Sequence, residues 1–316
     1  MNLNTKRSVT PHFSVGVLSH PRFVPMKTLF ILLIAALLAG QAAAQPQTAG
    51  QGGTTRPFVL GVTEEMQSQV LGEKRILNIY LPAGYGASDA TRYPVIFLLD
   101  GSADEDFIHV AGLVQFNTFP WLNQMPESIL VGIANVNRKR DFTFPTTVKE
   151  DREKYPETGH SDKFISFIES ELLPFIDKKY RTSPSRMLIG QSLGGLLATE
   201  ILEKKPDLFS KYLIISPSIW WDNASILKGD TFNRLRQATG ETDIYIAVGN
   251  EGPVPGGSGR TMEDDAKSLA GKMEGLGNKN VHVIFDFLPS ENHGTIGHQA
   301  VFNGFLRLYP KKSENH

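Results

Sequence analysis

The stretch that most limits how this chain can fold is residues 187–202, "MLIGQSLGGLLATEIL". A short apolar run ends in Gly190-Gln191-Ser192-Leu193-Gly194-Gly195, and a helix-spaced apolar pattern follows at once. A buried strand that turns directly into a helix implies a sheet with that helix packed on it. The G-x-S-x-G spacing also has a chemical reading. A serine on a sharp strand-to-helix turn is exposed as a nucleophile, and the strained turn leaves no room for flanking side chains. Gly190, Gly194 and Gly195 meet that need. Backbone N–H groups at the helix start would then face the serine. A phosphate loop, the main competitor, requires a Gly-Lys-Ser/Thr sequence that is absent here.

The rest of the chain supplies a setting for such a turn. Strand-like runs occupy residues 75–82, 93–100, 128–135, 185–190, 211–216, 243–249 and 280–288. Most are continuous apolar runs, as buried parallel strands should be. Between them lie helical patterns. Residues 161–180 place Phe164, Ile165, Ile168, Leu172, Phe175 and Ile176 on one stripe, with Ser161 as the expected N-cap. Residues 261–277 begin with Thr261 as N-cap, carry acids in the first turn and stop at glycine, and a last helix follows "GHQAVFNGFLRLY". Strands alternating with helices predict a single α/β domain over residues 58–311, with a mostly parallel central sheet and helices on both faces.

The 316 residues contain no cysteine, which excludes disulfides, thiol catalysis and cysteine-ligated metal. A net charge of −1 gives no reason to expect a nucleic-acid partner. Near the start, Met26-Lys27 precedes "TLFILLIAALLAG" and "QAAAQ". This is the pattern of a signal peptide over residues 26–44, cut between Ala44 and Gln45, and it predicts a periplasmic or secreted protein with no membrane insertion after cleavage. Residues 1–25 lack any periodic pattern and read as an extension upstream of a true start at Met26. Residues 45–57 read as a Gly/Gln/Thr linker. All four basic residues before Gln45 would leave with the leader, making the mature chain mildly acidic.

A serine nucleophile needs a base within hydrogen-bond reach. When the nucleophile precedes acid and then histidine in the chain, the base lies in the loop after the last strand. Here that loop is "LPSENHGTIGH", and His293, beside Gly294, is the candidate. His298 reads as a first-turn residue of the last helix and His282 as a packed strand residue. A metal reading of Glu291, His293 and His298 matches no zinc spacing. The acid that fixes the imidazole tautomer should follow residues 243–249. Glu251 is the first acid there; Asp264 and Asp265 are alternatives that also suit a helix N-terminus. The oxyanion hole should combine the Leu193 N–H with one from the loop at Gly101 and Ser102.

The motifs "IFLLDG", "NVNRKRDFT", "GQSLGGLLA", "SPSIWWDN", "VGNEG" and "ENHGTIGHQA" follow one another in the order seen in the esterase D-like family of α/β-hydrolases. The chain resembles that family across residues 58–308, most of all its siderophore (enterobactin-type) esterase branch. Feruloyl and acetylxylan esterases, S-formylglutathione hydrolases and mycolyl transferases are further relatives. The resemblance implies an α/β-hydrolase fold, Ser192 as nucleophile, His293 as base and the loop after Gly101 in the oxyanion hole. Some siderophore esterases work with a serine–histidine pair, which leaves the acid the least fixed member. In such folds "SPSIWW" lines the rim, so Trp220 and Trp221 either stack on an aromatic acyl group or pack on the sheet. Arg138, Arg140 and Asp141 either hold a polar substrate or pair with one another. The expected activity is hydrolysis of a small-molecule carboxylic ester through an acyl-enzyme, with no cofactor and no metal. Acyl transfer to an alcohol and a carbohydrate-ester substrate are alternatives; a non-enzymatic ligand binder should have lost Ser192 or His293. Oligomeric state is not specified by any of these patterns.

Overall fold

The computed structural model describes residues 55–86, 90–256 and 259–311. The leader expected at residues 26–44, the extension before it and most of the linker lie outside the described residues. The chain divides after Pro57 into two units, and the whole sheet belongs to the second.

Eight strands form one sheet in the order β1-β2-β4-β3-β5-β6-β7-β8. They are β1 (Val62–Ser68), β2 (Glu73–Tyr80), β3 (Tyr93–Leu98), β4 (Ile129–Ile133), β5 (Thr182–Gln191), β6 (Lys211–Ile215), β7 (Thr242–Gly249) and β8 (Val281–Leu288). β1 and β2 pair antiparallel, as do β2 and β4; every pair from β4 through β3 to β8 is parallel. The apolar runs expected as strands are β2 to β8. β1 alternates exposed and covered positions in "VTEEMQS", and too few of its residues are apolar to show as a run.

Strands that are apolar throughout still alternate faces, because successive side chains point to opposite sides. In β3, Val95 and Phe97 join one core, whereas Ile96 and Leu98 join the other; Leu188 and Ile189 of β5 divide the same way. The helices α1 (Phe107–Asn117) and, at the end of the chain, α9 (Ile296–Leu308) cover one face. The opposite face carries α4 (Ser161–Phe167), α5 (Leu173–Lys179), α6 (Leu193–Lys204) and α8 (Met262–Glu274). Shorter helices are α2 (Arg138–Phe142), α3 (Lys149–Lys154) and α7 (Asn233–Gln237), and a four-residue helical turn spans Trp221–Ala224.

Some local expectations change. Residues 161–180 are not one uniform helix: a π-turn at Ile168–Leu172 separates α4 from α5. Pro174 lacks an N–H and its ring crowds the preceding turn, and a widened turn just before it accommodates both. Ser161 is not the N-cap. His160 holds that position, and the Ser161 hydroxyl donates to the buried Glu200 carboxylate at 2.9 Å. His282 is not packed in the sheet; β8 is an edge strand, and the exposed ring pairs with Glu241 at 2.9 Å. Thr261 does cap α8, in a reciprocal box with Asp264.

One buried charge network ties β2 to the segment after β4. Arg75, 1% exposed, contacts Asp141 at 2.6 Å and Glu73 at 2.5 Å, and lies over the rings of Phe164 and Phe167. Arg140 closes the network through Asp141 at 2.8 Å and Glu73 at 2.6 Å. A buried pair contributes little over an apolar substitute, but removing one partner strands the other charge. Asp141→Ala is therefore expected to lower the unfolding free energy by about 3 kcal/mol in urea denaturation. Burial works to raise the Glu73 carboxyl, yet Arg140 and Arg75 hold it below its ordinary 4.5. A depressed acid stabilises fully above its unfolded value and loses that contribution as pH falls through the folded one. Acid unfolding should accordingly steepen below about pH 4.5, and far less so in Glu73→Gln.

Candidate active site

Ser192 sits where β5 becomes α6, at φ 59° and ψ −119°, a conformation that residues other than glycine rarely adopt. Holding a residue there costs on the order of 1–3 kcal/mol and persists only under surrounding constraint. The constraint is backbone hydrogen bonding. Ser192 N–H donates to Ile215 O at 2.9 Å, and Ser192 O accepts from Leu196 and Ser218, each at 3.0 Å. A Cβ on Gly190 would stand 2.4 Å from the Gly194 carbonyl oxygen, and one on Gly195 would stand 3.0 Å from Pro217 Cα. Gly194 is different: a Cβ there would make only ordinary contacts, the nearest at 3.4 Å. Two of the three glycines are thus required by close approach.

Glu251 and His293 meet across the ends of β7 and β8. Glu251 Oε2 lies 2.6 Å from His293 Nδ1. Its Oε1 accepts from the Ser216 hydroxyl and from the Gly249 N–H at 3.1 Å. The Glu251 side chain is 2% exposed, and His293 is 46% exposed. Burial works to raise the Glu251 carboxyl, but its hydrogen bonds with His293, Ser216 and Gly249 hold it below the ordinary value, so it is an anion at neutral pH. A second tie holds the backbone at His293: Gln191 Nε2 donates to the His293 carbonyl at 2.7 Å. Asp264 and Asp265 take no part. Asp264 completes the α8 cap, and the buried Asp265 pairs with Arg260 at 3.2 Å. His298 lies in the first turn of α9 with its ring 5.7 Å from that of His109.

Ser192, Glu251 and His293 line one cavity of about 230 Å³, together with Ser218, Trp220 and Met262. A second cavity of about 190 Å³ shares Ser192, Ser218 and Trp220 and extends toward Leu193, Arg138 and Tyr155. Two larger open clefts around Lys204 and Arg234 have no histidine in their walls. The Ser192 hydroxyl contacts Ser218 Oγ at 3.3 Å, and among the described residues no hydrogen bond joins it to His293. Ser216 and Ser218 were not singled out from sequence. Their only signal was the "SPS" after β6, the strand beside the elbow.

The remaining expected residues divide. The Leu193 N–H opens α6, where no earlier turn of that helix offers it a carbonyl. The Gly101 N–H, in contrast, donates to Ile133 O at 3.0 Å and is already committed, so of that loop's two expected oxyanion donors only the Ser102 N–H is still a candidate. A Cβ on Gly101 would clash with Gly132 Cα at 2.3 Å, which gives that glycine a packing role. Trp220 lines both cavities. Trp221 borders the second but is 2% exposed, and its Nε1 donates to Phe144 O at 2.8 Å, so its indole is largely core. Arg140 lines neither cavity and is held by Glu73 and Asp141, which corrects its reading as a substrate contact. Arg138 is the arginine at the site, forked onto Asp100 at 2.6 and 2.9 Å. Beside it, burial and the charges of Asp100 and Glu105 push the Asp106 carboxyl up to about 6.

Residues 68–267 match the family described as "Putative esterase". The ferri-bacillibactin esterase BesA of Bacillus subtilis is 30% identical over 257 residues, covering 77% of this chain and 88% of its own. A siderophore enterobactin esterase of Emericella nidulans is 47% identical over 72 residues, 22% of this chain and 24% of that one. Among solved structures, an IroE-like serine hydrolase from Shewanella oneidensis superposes with a TM-score of 0.69 at 33% identity, covering 79% of this chain and 80% of that chain. The chain belongs to this esterase family, has its α/β-hydrolase fold, and is an ester hydrolase.

Proposed function

We propose that this ester hydrolase acts through an acyl-enzyme on Ser192. The observation that carries the reading is the convergence of a strained serine, a histidine and a buried carboxylate on one cavity. Ser192 Oγ attacks the ester carbonyl carbon while His293 Nε2 takes its proton. Glu251 holds Nδ1–H at the opposite side of the ring and stabilises the imidazolium. The Leu193 and Ser102 N–H groups face the developing oxyanion. Collapse expels the alcohol, protonated by His293, and water then releases the acid by the same route. In the resting site Ser192 Oγ lies against Ser218 Oγ at 3.3 Å, and the bond to His293 forms as substrate binds. Catalytic hydrogen bonds of this kind commonly tighten only when substrate is bound.

For the substrate we propose an ester of siderophore type. The names of the relatives support this, as does the pairing of Trp220 and Tyr155 with Arg138 and Lys139 around the second cavity. Aromatic faces beside cations suit a hydroxylated aromatic acid. Export by the leader expected at residues 26–44 belongs to the same reading. None of the described helices is long and apolar enough to cross a membrane.

Four measurements test the reading. Ser192→Ala should reduce kcat/KM on a tricatecholate triester by about 1000-fold or more. A fluorophosphonate should add once, on the peptide carrying Ser192; labelling that survives in Ser192→Ala refutes the assignment. His293→Ala should match Ser192→Ala, Glu251→Gln should lie between it and the wild type, and His298→Ala should cost little. An inactive His298→Ala beside an active His293→Ala would reassign the base. The exported protein should begin at Gln45 on N-terminal sequencing, and a species retaining Met26 outside the cytoplasm ends the signal-peptide reading.

A further inference from the structure

Glu251 is held at both ends of its own residue. Its carboxylate is fixed by His293, Ser216 and Gly249, while its backbone N–H donates to Glu263 Oε1 at 2.7 Å. The same oxygen accepts from the next N–H, that of Gly252, at 3.1 Å. Two consecutive amides aimed at one anion form a nest, which needs left-handed backbone at one of its residues. Gly252, at φ 77°, supplies it.

Glu263 is the second residue of α8, a 13-residue helix fixed at its start by the Thr261–Asp264 box. An acid in a first helical turn is ordinarily explained by the helix dipole, and a solvated side chain satisfies that explanation. Asp264, exposed at the surface, stays within its own helix start and accepts from the Thr261 N–H at 3.2 Å. Glu263 instead turns onto the backbone of a different segment. Burial works to raise its carboxyl, but the amides of Gly252, Glu263 and Glu251 hold it below its ordinary value, so the anion is the state present. The contact also closes the base of the loop between Gly252 and Met262. Met262 N–H donates to Gly252 O at 2.9 Å, and Pro253 bridges Thr261. Pro253, Pro255 and Met262 from this loop line the cavity of Ser192.

From this we infer that Glu263 is a positioning residue for the reaction: through the Glu251 and Gly252 amides it sets where the Glu251 carboxylate meets His293. The inference rests on Glu251 being the acid of the catalytic set. Glu263 itself lines neither cavity, and the loop that does keeps its own ties from Met262 N–H to Gly252 O and from Pro253 to Thr261, so the effect of Glu263 falls on the turnover step through Glu251. A displacement of about 1 Å in a catalytic group can cost on the order of 100-fold.

The test measures kcat and KM separately on p-nitrophenyl acetate for Glu263→Ala, Glu263→Gln, Glu251→Gln and the double variant Glu251→Gln/Glu263→Ala, each checked for folding by circular dichroism. Glu263→Ala should lower kcat by roughly 10- to 100-fold with KM little changed. Glu263→Gln keeps an acceptor oxygen at the same reach and should recover most of the loss. The double variant should be no worse than Glu251→Gln alone, because Glu263 works only through Glu251. In the wild type, the short His293 Nδ1–H bond should give a far-downfield proton resonance that weakens in Glu263→Ala and returns in Glu263→Gln. Wild-type kcat in Glu263→Ala, or losses that multiply in the double variant, overturns the inference while Glu251→Gln remains damaging. If Glu251→Gln itself leaves kcat unchanged, the assignment of the acid has failed and the inference falls with it. Should Glu263→Ala not fold, Glu263→Asp decides, because its shorter side chain withdraws the acceptor oxygen from the Glu251 and Gly252 amides: lower kcat with unchanged KM and a weakened resonance support the inference, and wild-type kcat and resonance overturn it.

Discussion

The left-handed turn at Ser192 depends on backbone hydrogen bonds from β6 and the segment that follows it, and much of the site follows from that turn. β5 lies inside the sheet, between β3 and β6. Ile215 at the end of β6 accepts the Ser192 N–H, and the segment beyond it returns the Ser218 N–H to Ser192 O. Strain of this kind recurs at the ends of all three strands: Asp100 at φ 54°, Ser192 at φ 59° and Ser216 at φ 43°. Each of these residues turns a side chain toward a partner that bears on the site. Asp100 takes Arg138, Ser192 takes Ser218, and Ser216 takes the Glu251 carboxylate. Clustering of unfavourable backbone at one edge of a parallel sheet is the usual cost of presenting side chains beyond the strand ends.

Charge is handled differently in the body of the protein and at its site. The Arg75–Asp141–Glu73–Arg140 network is closed on itself, and no member lines either cavity around Ser192. Its role is to fix the segment after β4 against β2. Arg138, four residues after Ala134, is held by Asp100 and Gln191 O and stands in a cavity wall. Two arginines two positions apart thus face opposite tasks, because a five-residue helix turns one inward and leaves the other beside the elbow. At Glu251 the burial of a carboxylate is tolerated for the reason that its oxygens are met by a hydroxyl, an amide and the imidazole. This anion is the fixed point against which His293, nearly half exposed, is oriented.

The residues of the elbow and the apolar strands were legible because their physical demands are local. A serine between close-packed glycines, after a buried run and before a helix, meets the elbow's needs within ten residues. Seven strands were visible as apolar runs, since both faces of the sheet are covered and neither face can be polar. β1 was not, being an antiparallel edge strand with one exposed side. Gly194 and Gly101 carried the right residue type for reasons the sequence does not distinguish: room beside Gly194 is ordinary, whereas Gly101 packs on Gly132.

By itself, the sequence determined the fold class, the position of the elbow serine and the order of the candidate serine, acid and histidine, because each rests on periodicity or on short-range turn geometry. Only the tertiary structure decided which polar groups meet. That Glu251 rather than Asp264 or Asp265 reaches His293 depends on how the β7 and β8 loops approach each other, across 42 residues of sequence. The commitment of the Gly101 amide to Ile133, the burial of Trp221 and the closure of Arg140 onto Glu73 depend equally on long-range packing. A hydrogen bond is set to within a few tenths of an ångström, and no local pattern of residue types carries distances between distant segments.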